Sequence, residues 1–247
     1  MSDSKNISNI EFEAPSELSL PENEVHLWRI DLDQVGGAEA RWKRVLPPDE
    51  VARALRFHFA RDRQNFTATR ALLRILLGTY IGCRPEKVAL IYGDKEKPSL
   101  DATLGAEHLQ FNISHSGSRA LLAFARGREL GVDIEKIRNN FDHEKLARRF
   151  FSSSEQQQLA ALPASERCPG FFRCWTRKEA YIKAHGAGLS LPLKDFDVSL
   201  SPGEQDALLA TRPNGDEAAL WSIRDIGAGE GYEAALCVKG QGWILRS

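Results

Sequence analysis

The amino-acid sequence predicts an α+β fold. Strand-like and helix-like segments are both present, but they do not alternate in the regular rhythm that a doubly wound sheet requires. A second observation is a repeated rhythm: LPPDEVARAL followed by RDRQNFTATRALLRILLG has a counterpart in FSSSEQQQLAAL followed by RCPGFFRCWTRKEAYIKAHG, and each pair precedes strands. Two related halves would leave a site between them, while generic helical periodicity is the competing account of the same pattern.

In chain order, residues 1–22 are polar and are expected to form a flexible N-terminal arm. Residues 25–33, VHLWRIDLD, alternate as a half-buried strand does, with Val25 and Leu27 on one side and Trp28 and Ile30 on the other. Pro47 and Pro48 break the chain before two helices, 49–57 and 62–82, the second carrying an apolar stripe of Phe66, Leu72, Leu73, Leu76 and Leu77. Gly82 stops that helix, VALIYG is a short strand, and a charged loop ends at Pro98. Two apolar runs, 108–117 and 118–126, flank the polar cluster S-H-S-G-S and predict a hairpin. Residues 129–137 form the next strand. Helix is expected over 142–162, interrupted at Phe150-Phe151 and restarted by Ser152 to Ser154 ahead of Glu155. Pro163 and Pro169 frame a loop before a helix at 170–185, which Gly186 and Gly188 end. Strands at 191–200, 218–226, 232–240 and 242–247 complete the chain.

The 247 residues are enough for one domain or two halves of roughly 120 residues, either with a sizeable core. A net charge of −1 argues against nucleic-acid binding by bulk charge and leaves room for a local basic pocket. The cysteines Cys83, Cys168, Cys174 and Cys237 have neither metal-site spacing nor the density of a disulfide scaffold, so reduced thiols in a cytoplasmic protein are expected. The opening residues contain acids and no long apolar run, which predicts neither a signal peptide nor a membrane span.

Acidic and basic side chains concentrate between Gly131 and Gly188. Asp133 and Glu135 are two apart on a strand and share a face, with Val132 and Ile134 behind them. Such a pair suits a hard cation such as Mg²⁺, although an exposed strand face carries ordinary acids just as readily. Glu179 and Lys183 are four apart on a helix, and a surface ion pair is the plain account of them. If Glu179 instead turned toward Asp133 and Glu135, three like charges would need a compensating cation. Asn112, Ser114, His115 and Ser116 can anchor a turn, or His115 can meet an anion. Arg53, Arg56, Arg61, Arg63 and Arg70 form a basic run, with Lys97 in the loop before Pro98; a few of these could clamp phosphate oxygens.

F-N-I-S-H-S-G at 111–117, G-V-D-I-E-K at 131–136 and W-T-R-K-E-A-Y-I-K at 175–183, with R-R-F-F-S-S-S-E at 148–155 and G-A-G-L-S-L-P-L at 186–193, together resemble the 4'-phosphopantetheinyl transferases of the surfactin-synthetase-activating type. The likeness runs from about residue 46 to 198. It implies two similar α+β halves related by a pseudo-twofold, at 23–127 and 128–247, with the active site at their junction. It also implies transfer of the 4'-phosphopantetheine group from coenzyme A to a serine of an acyl or peptidyl carrier protein, releasing adenosine 3',5'-bisphosphate. By the same resemblance Asp133, Glu135 and Glu179 bind Mg²⁺, and His115 with Ser114, Arg53 and Lys97 binds the nucleotide end. Lys178 and Lys183 face the phosphates, Lys183 steadies the departing oxygen, and Glu179 accepts the serine proton directly or through water. A monomer is expected. Glu96-Lys97-Pro98 stands where the family often has Gly-Lys-Pro, and Glu50 stands at the position of an early lysine near the nucleotide. The alternatives are another Mg²⁺-dependent phosphoanhydride hydrolase or nucleotidyl-type transferase, and a noncatalytic coenzyme A-binding module.

Overall fold

The computed structural model describes residues 6–7, 18–35, 39–93, 97–186, 188, 191–204 and 207–247. The first part of the chain gives β1 (Asn6–Ile7), β2 (Glu24–Asp31), α1 (Leu32–Val35), α2 (Glu39–Lys43), α3 (Pro48–Ala54) and α4 (Ala60–Ile81). It continues through β3 (Leu90–Tyr92), β4 (Pro98–Leu100), β5 (Leu109–Ser116), β6 (Arg119–Arg126) and β7 (Leu130–Lys136). Then follow α5 (His143–Phe150), α6 (Ser153–Ala161), α7 (Ala164–His185), β8 (Phe196–Val198), β9 (Leu208–Thr211), β10 (Trp221–Asp225), β11 (Tyr232–Lys239) and β12 (Ile244–Arg246).

The alternation along the strands builds a four-layer stack. Trp28 and Ile30 of β2, with Ala120, Leu122 and Phe124 of β6, pack on Leu72, Leu73, Leu76 and Leu77 of α4. The opposite faces of the same strands carry Val25, Leu27, Leu121 and Ala123, which meet Val132 and Ile134 of β7 and Leu236 and Val238 of β11. Beyond this sheet-to-sheet core, Ala235, Cys237 and Ile223 pack on Phe171, Cys174 and Tyr181 of α7. The stack thus holds two mainly antiparallel sheets, each with a 22-residue helix on its outer face. The first sheet runs β1-β2-β6-β5 and the second β10-β11-β7. At the chain's end β12 returns to the first sheet and pairs in parallel with β2, at Glu24 to His26.

Two glycines allow close approach. Gly131 of β7 lies under α7, where a Cβ would stand 2.2 Å from Ala180 O and 2.3 Å from Ala184 N, so helix and strand come together backbone to backbone. Gly117 turns the β5–β6 hairpin at φ 59°, a left-handed conformation that side chains disfavour.

The predicted helix break at Phe151 is present, and Ser152 restarts the chain with a reciprocal capping box to Glu155. The loop expected between Pro163 and Pro169 is instead helix: α7 begins at Ala164 and carries Pro169 within it. One intrahelical hydrogen bond is lost there, and burial of Phe171, Phe172 and Cys174 just downstream offsets it. Strands β4 and β9 had no counterpart in the sequence reading. Most of the expected arm at 1–22 lies outside the described residues; within it β1 runs parallel to β2 and Leu20 is buried in the first core.

Candidate active site at the seam between the sheets

β5 and β7 are edge strands of different sheets, and side chains join them. Asn112 Oδ1 accepts from Val132 N at 2.9 Å, Ser114 Oγ from Ile134 N at 3.3 Å, and Ser116 Oγ from Lys136 N at 3.1 Å. Period-two alternation places these three residues on one side of β5 and leaves Ile113 and His115 on the other. Of the two alternatives for N-I-S-H-S, anchoring a turn is not what these residues do: the hairpin turns at Gly117 and Ser118, and Asn112, Ser114 and Ser116 stand in for a backbone ladder between β5 and β7.

The acids of β7 enter the same network. Ser114 donates to Asp133 Oδ1 at 2.9 Å, and Ser116 to Glu135 Oε2 at 2.8 Å. From α7, Lys183 Nζ donates to Asp133 Oδ1 at 2.6 Å, to Ser114 Oγ at 3.1 Å and to Val132 O at 3.2 Å. Asp133 is 5% exposed, and its Oδ2 is buried without a hydrogen-bond partner among the described residues. Such an orphan is costly unless something else fills its coordination. Lys183 thus pairs with Asp133 rather than with Glu179, four residues before it on the same face of α7.

Burial pushes the Glu179 carboxyl above its usual range, and the Asp133 and Glu135 charges push it further, against the pull of Lys183. Glu135 is raised too, by burial first and by Asp133, with the Ser116 hydrogen bond opposing. The three acids therefore occupy one electrostatic neighbourhood. They do not form a closed ligand set: among the described residues no group of three or more His, Cys, Asp or Glu is arranged to hold a metal ion. Lys183 occupies one Asp133 oxygen and Ser116 one Glu135 oxygen. An all-oxygen donor set with an orphaned Asp133 Oδ2 nevertheless fits a hard divalent cation.

Beside the acids is a cavity of about 520 Å³, in the size range of small-molecule sites. Arg53, Lys97, Ser114, His115, Glu179 and Lys183 all line it. Lys97 is anchored there by donating to Lys183 O at 2.6 Å and Leu130 O at 3.3 Å, and burial lowers its pKa. Arg53 stands with its guanidinium 5.7 Å from the centre of the Phe66 ring. The His115 ring is exposed by area but stands at the cavity wall. Desolvation there, followed by the nearby Lys183 charge, holds its pKa below that of an ordinary imidazole.

Lys178 is not part of this group. Its Nζ is buried on the far side of α7, 2.6 Å from Glu155 Oε1, and donates to Leu193 O and Phe196 O at 2.7 Å each. A neighbour in sequence is about 100° away around a helix, so Glu179 faces the seam while Lys178 faces the second core. The sequence does carry the signal: Lys178 is four residues after Cys174 and three before Tyr181, both buried in that core.

Of the basic run, Arg70 lines the cavity together with Arg53, and Tyr92 of β3 adds a phenol that sequence reasoning passed over. Arg61 pairs with Asp33 at 3.0 Å on the surface. Glu50 lies behind the cavity wall, 2% exposed, bonded to Arg70 and Arg74. No described helix is long and apolar enough to cross a membrane.

Comparison with known proteins gives the chain its class. Residues 129–237 match the 4'-phosphopantetheinyl transferase superfamily, and residues 38–126 match the family described as "4'-phosphopantetheinyl transferase, N-terminal". The chain is 41% identical over 229 residues to the 4'-phosphopantetheinyl transferase HetI of Nostoc sp., covering 93% of each. It is 31% identical over 223 residues to a putative 4'-phosphopantetheinyl transferase of Synechocystis sp., covering 88% of this chain and 87% of that one. With the 4'-phosphopantetheinyl transferase Sfp of Bacillus subtilis it shares 28% identity over 197 residues, 80% of this chain and 84% of that one. The chain belongs to the 4'-phosphopantetheinyl transferase superfamily. It is an enzyme of that class, a 4'-phosphopantetheinyl transferase.

Proposed function

We propose that the enzyme transfers the 4'-phosphopantetheine group of coenzyme A to a serine hydroxyl of an acyl or peptidyl carrier protein, with adenosine 3',5'-bisphosphate as the other product. The observation that carries this reading is the clustering of Asp133, Glu135, Glu179 and Lys183 beside a cavity that Glu179 and Lys183 line together with Arg53, Lys97 and His115. The halves at 23–127 and 128–247 are its working units, and the site belongs to both.

Asp133, Glu135 and Glu179 would hold Mg²⁺, which when bound neutralises pyrophosphate charge and polarises the phosphorus under attack. The serine oxygen forms a bond to the phosphorus bearing the pantetheine arm, and the bond from that phosphorus to the bridging oxygen breaks. Lys183, held at Asp133 and Ser114, offers positive charge to the departing oxygen. Glu179 is the residue suited to take the serine proton. Its carboxylate makes no hydrogen bond among the described residues, and burial shifts its pKa toward the working pH. Asp133 is a poorer base, because Lys183 and Ser114 both occupy its Oδ1. Arg53, Lys97 and His115 hold the nucleotide end.

Incubation with Mg²⁺, coenzyme A and apo carrier protein should add about 340 Da to the carrier serine, the mass of the transferred arm. No gain on fatty-acid, polyketide or peptide carriers would sink the reading.

Metal binding has a separate readout. Because the folded-state pKa values of Glu135 and Glu179 are raised, the folded chain holds these protons more tightly than the unfolded chain. Without metal, stability is therefore expected to fall as pH rises from the ordinary carboxylate range through the raised values. Added Mg²⁺ should reverse this near neutral pH, raising Tm by roughly 5–10 °C at a hundredfold excess over its dissociation constant. The gain should shrink toward pH 4, and Glu179→Gln should reduce it. An equal Tm gain in Glu179→Gln would remove Glu179 from the metal site.

A further inference from the structure

Behind the cavity wall Glu50 divides its carboxylate between two arginines one helical turn apart on α4. Arg70 donates Nε–H to Oε1 at 2.9 Å, and Arg74 donates Nε–H to Oε2 at 2.7 Å. Arg70 Nη2 also reaches Glu50 and the Tyr92 hydroxyl, and Tyr92 in turn donates to Glu50 Oε1 at 3.3 Å. The four side chains tie α3, α4 and β3 together.

The partners divide the work unequally. Arg74 turns from the cavity and donates Nη1–H to Val88 O at 2.5 Å, whereas Arg70 and Tyr92 line the cavity. One buried anion faces two buried cations, so a positive charge is left over. Arg70 is the member of the pair placed to present it to a ligand. Among the described residues Arg70 Nη1 makes no hydrogen bond, and a guanidinium pinned at Nε and Nη2 can aim that remaining edge in only one direction.

We propose that Glu50 is a positioning residue for coenzyme A: it fixes Arg70 and Tyr92 so that Arg70 Nη1 meets a phosphate oxygen of the cosubstrate. This rests on the transfer reading above for the identity of the ligand. A purely structural staple between α3 and α4 would contribute to stability and leave coenzyme A affinity untouched, which separates the two roles.

The test measures coenzyme A binding to the full chain by calorimetry, and KM and kcat with saturating apo carrier protein, for the wild type, Glu50→Gln and Tyr92→Phe. Tyr92→Phe removes only a hydroxyl at the cavity edge and should fold with a Tm within a few degrees of wild type. It is expected to weaken coenzyme A binding about 5-fold, the scale of one ordinary hydrogen bond, with KM rising in step and kcat within 2-fold. Glu50→Gln should weaken binding about 10-fold or more and also lower Tm. Dissociation constants within 2-fold of wild type for Tyr92→Phe and for any folded Glu50→Gln would overturn the proposal; if Glu50→Gln does not fold, Tyr92→Phe decides alone. Weakened binding in the variants of a wild type that transfers to no carrier would uphold the positioning role and reject the transfer reading.

Discussion

Asp133→Ala is expected to lower transfer by about 10²–10³-fold, the range seen when one preorganised electrostatic contact is removed from a catalytic site. Asp133 is the most enclosed of the three acids and links three elements: it accepts from Ser114 of β5, sits on β7, and receives Lys183 of α7. Its loss leaves Lys183 with Ser114 and Val132 O, and because the Lys183 side chain is 28% exposed its ammonium can hydrate instead of standing buried and unpaired. It also relieves the repulsion that raises Glu135 and Glu179. The fold should therefore survive, with Tm within a few degrees of wild type, while the initial rate of carrier modification falls to about 1% of wild type or less. Activity within twofold of wild type would remove Asp133 from the chemistry.

The sequence disclosed this site unevenly, and the reasons are physical. Period-two alternation is enough to put Asp133 and Glu135 on one face and Val132 and Ile134 on the other, and the structure has them so. The three-to-four spacing put Glu179 and Lys183 on one face of α7 in the same way. Spacing within an element says nothing about which partner element that face meets. The β5–β7 seam, made by serine and asparagine side chains reaching across to backbone N–H groups, had no local signature to separate it from a polar turn. Arg70 was legible only as one of several arginines, since its selection depends on a buried Glu50 twenty residues away. Pro169 misled for a simpler reason: its local cost is real, and long-range packing outweighs it. The return of β12 to β2 is likewise a contact between opposite ends of the chain that no window of sequence contains.

Lys178→Met is expected to produce a large loss of stability through a side chain that never reaches the cavity. The ammonium of Lys178 and the carboxylate of Glu155 are both 0% exposed and 2.6 Å apart. Glu155 is also held by Val198 N and Ser152 N at 2.9 Å each, and Lys178 by two carbonyls, so the pair is fully hydrogen-bonded inside the second core. The Phe196 ring adds a face 4.1 Å from the ammonium. Methionine matches the volume but leaves Leu193 O, Phe196 O and a buried carboxylate without their donor. Breaking one side of such a pair costs about 3–5 kcal/mol, or roughly 10 °C in Tm for a chain of this length. The variant should unfold at correspondingly lower denaturant, yet at a temperature where it remains folded its KM for coenzyme A should match wild type. A raised KM with unchanged stability would return Lys178 to the phosphates. The opposite outcome would fix the division of labour on α7, one face bonded into the core by Lys178 and the next presenting Glu179 and Lys183 to the seam.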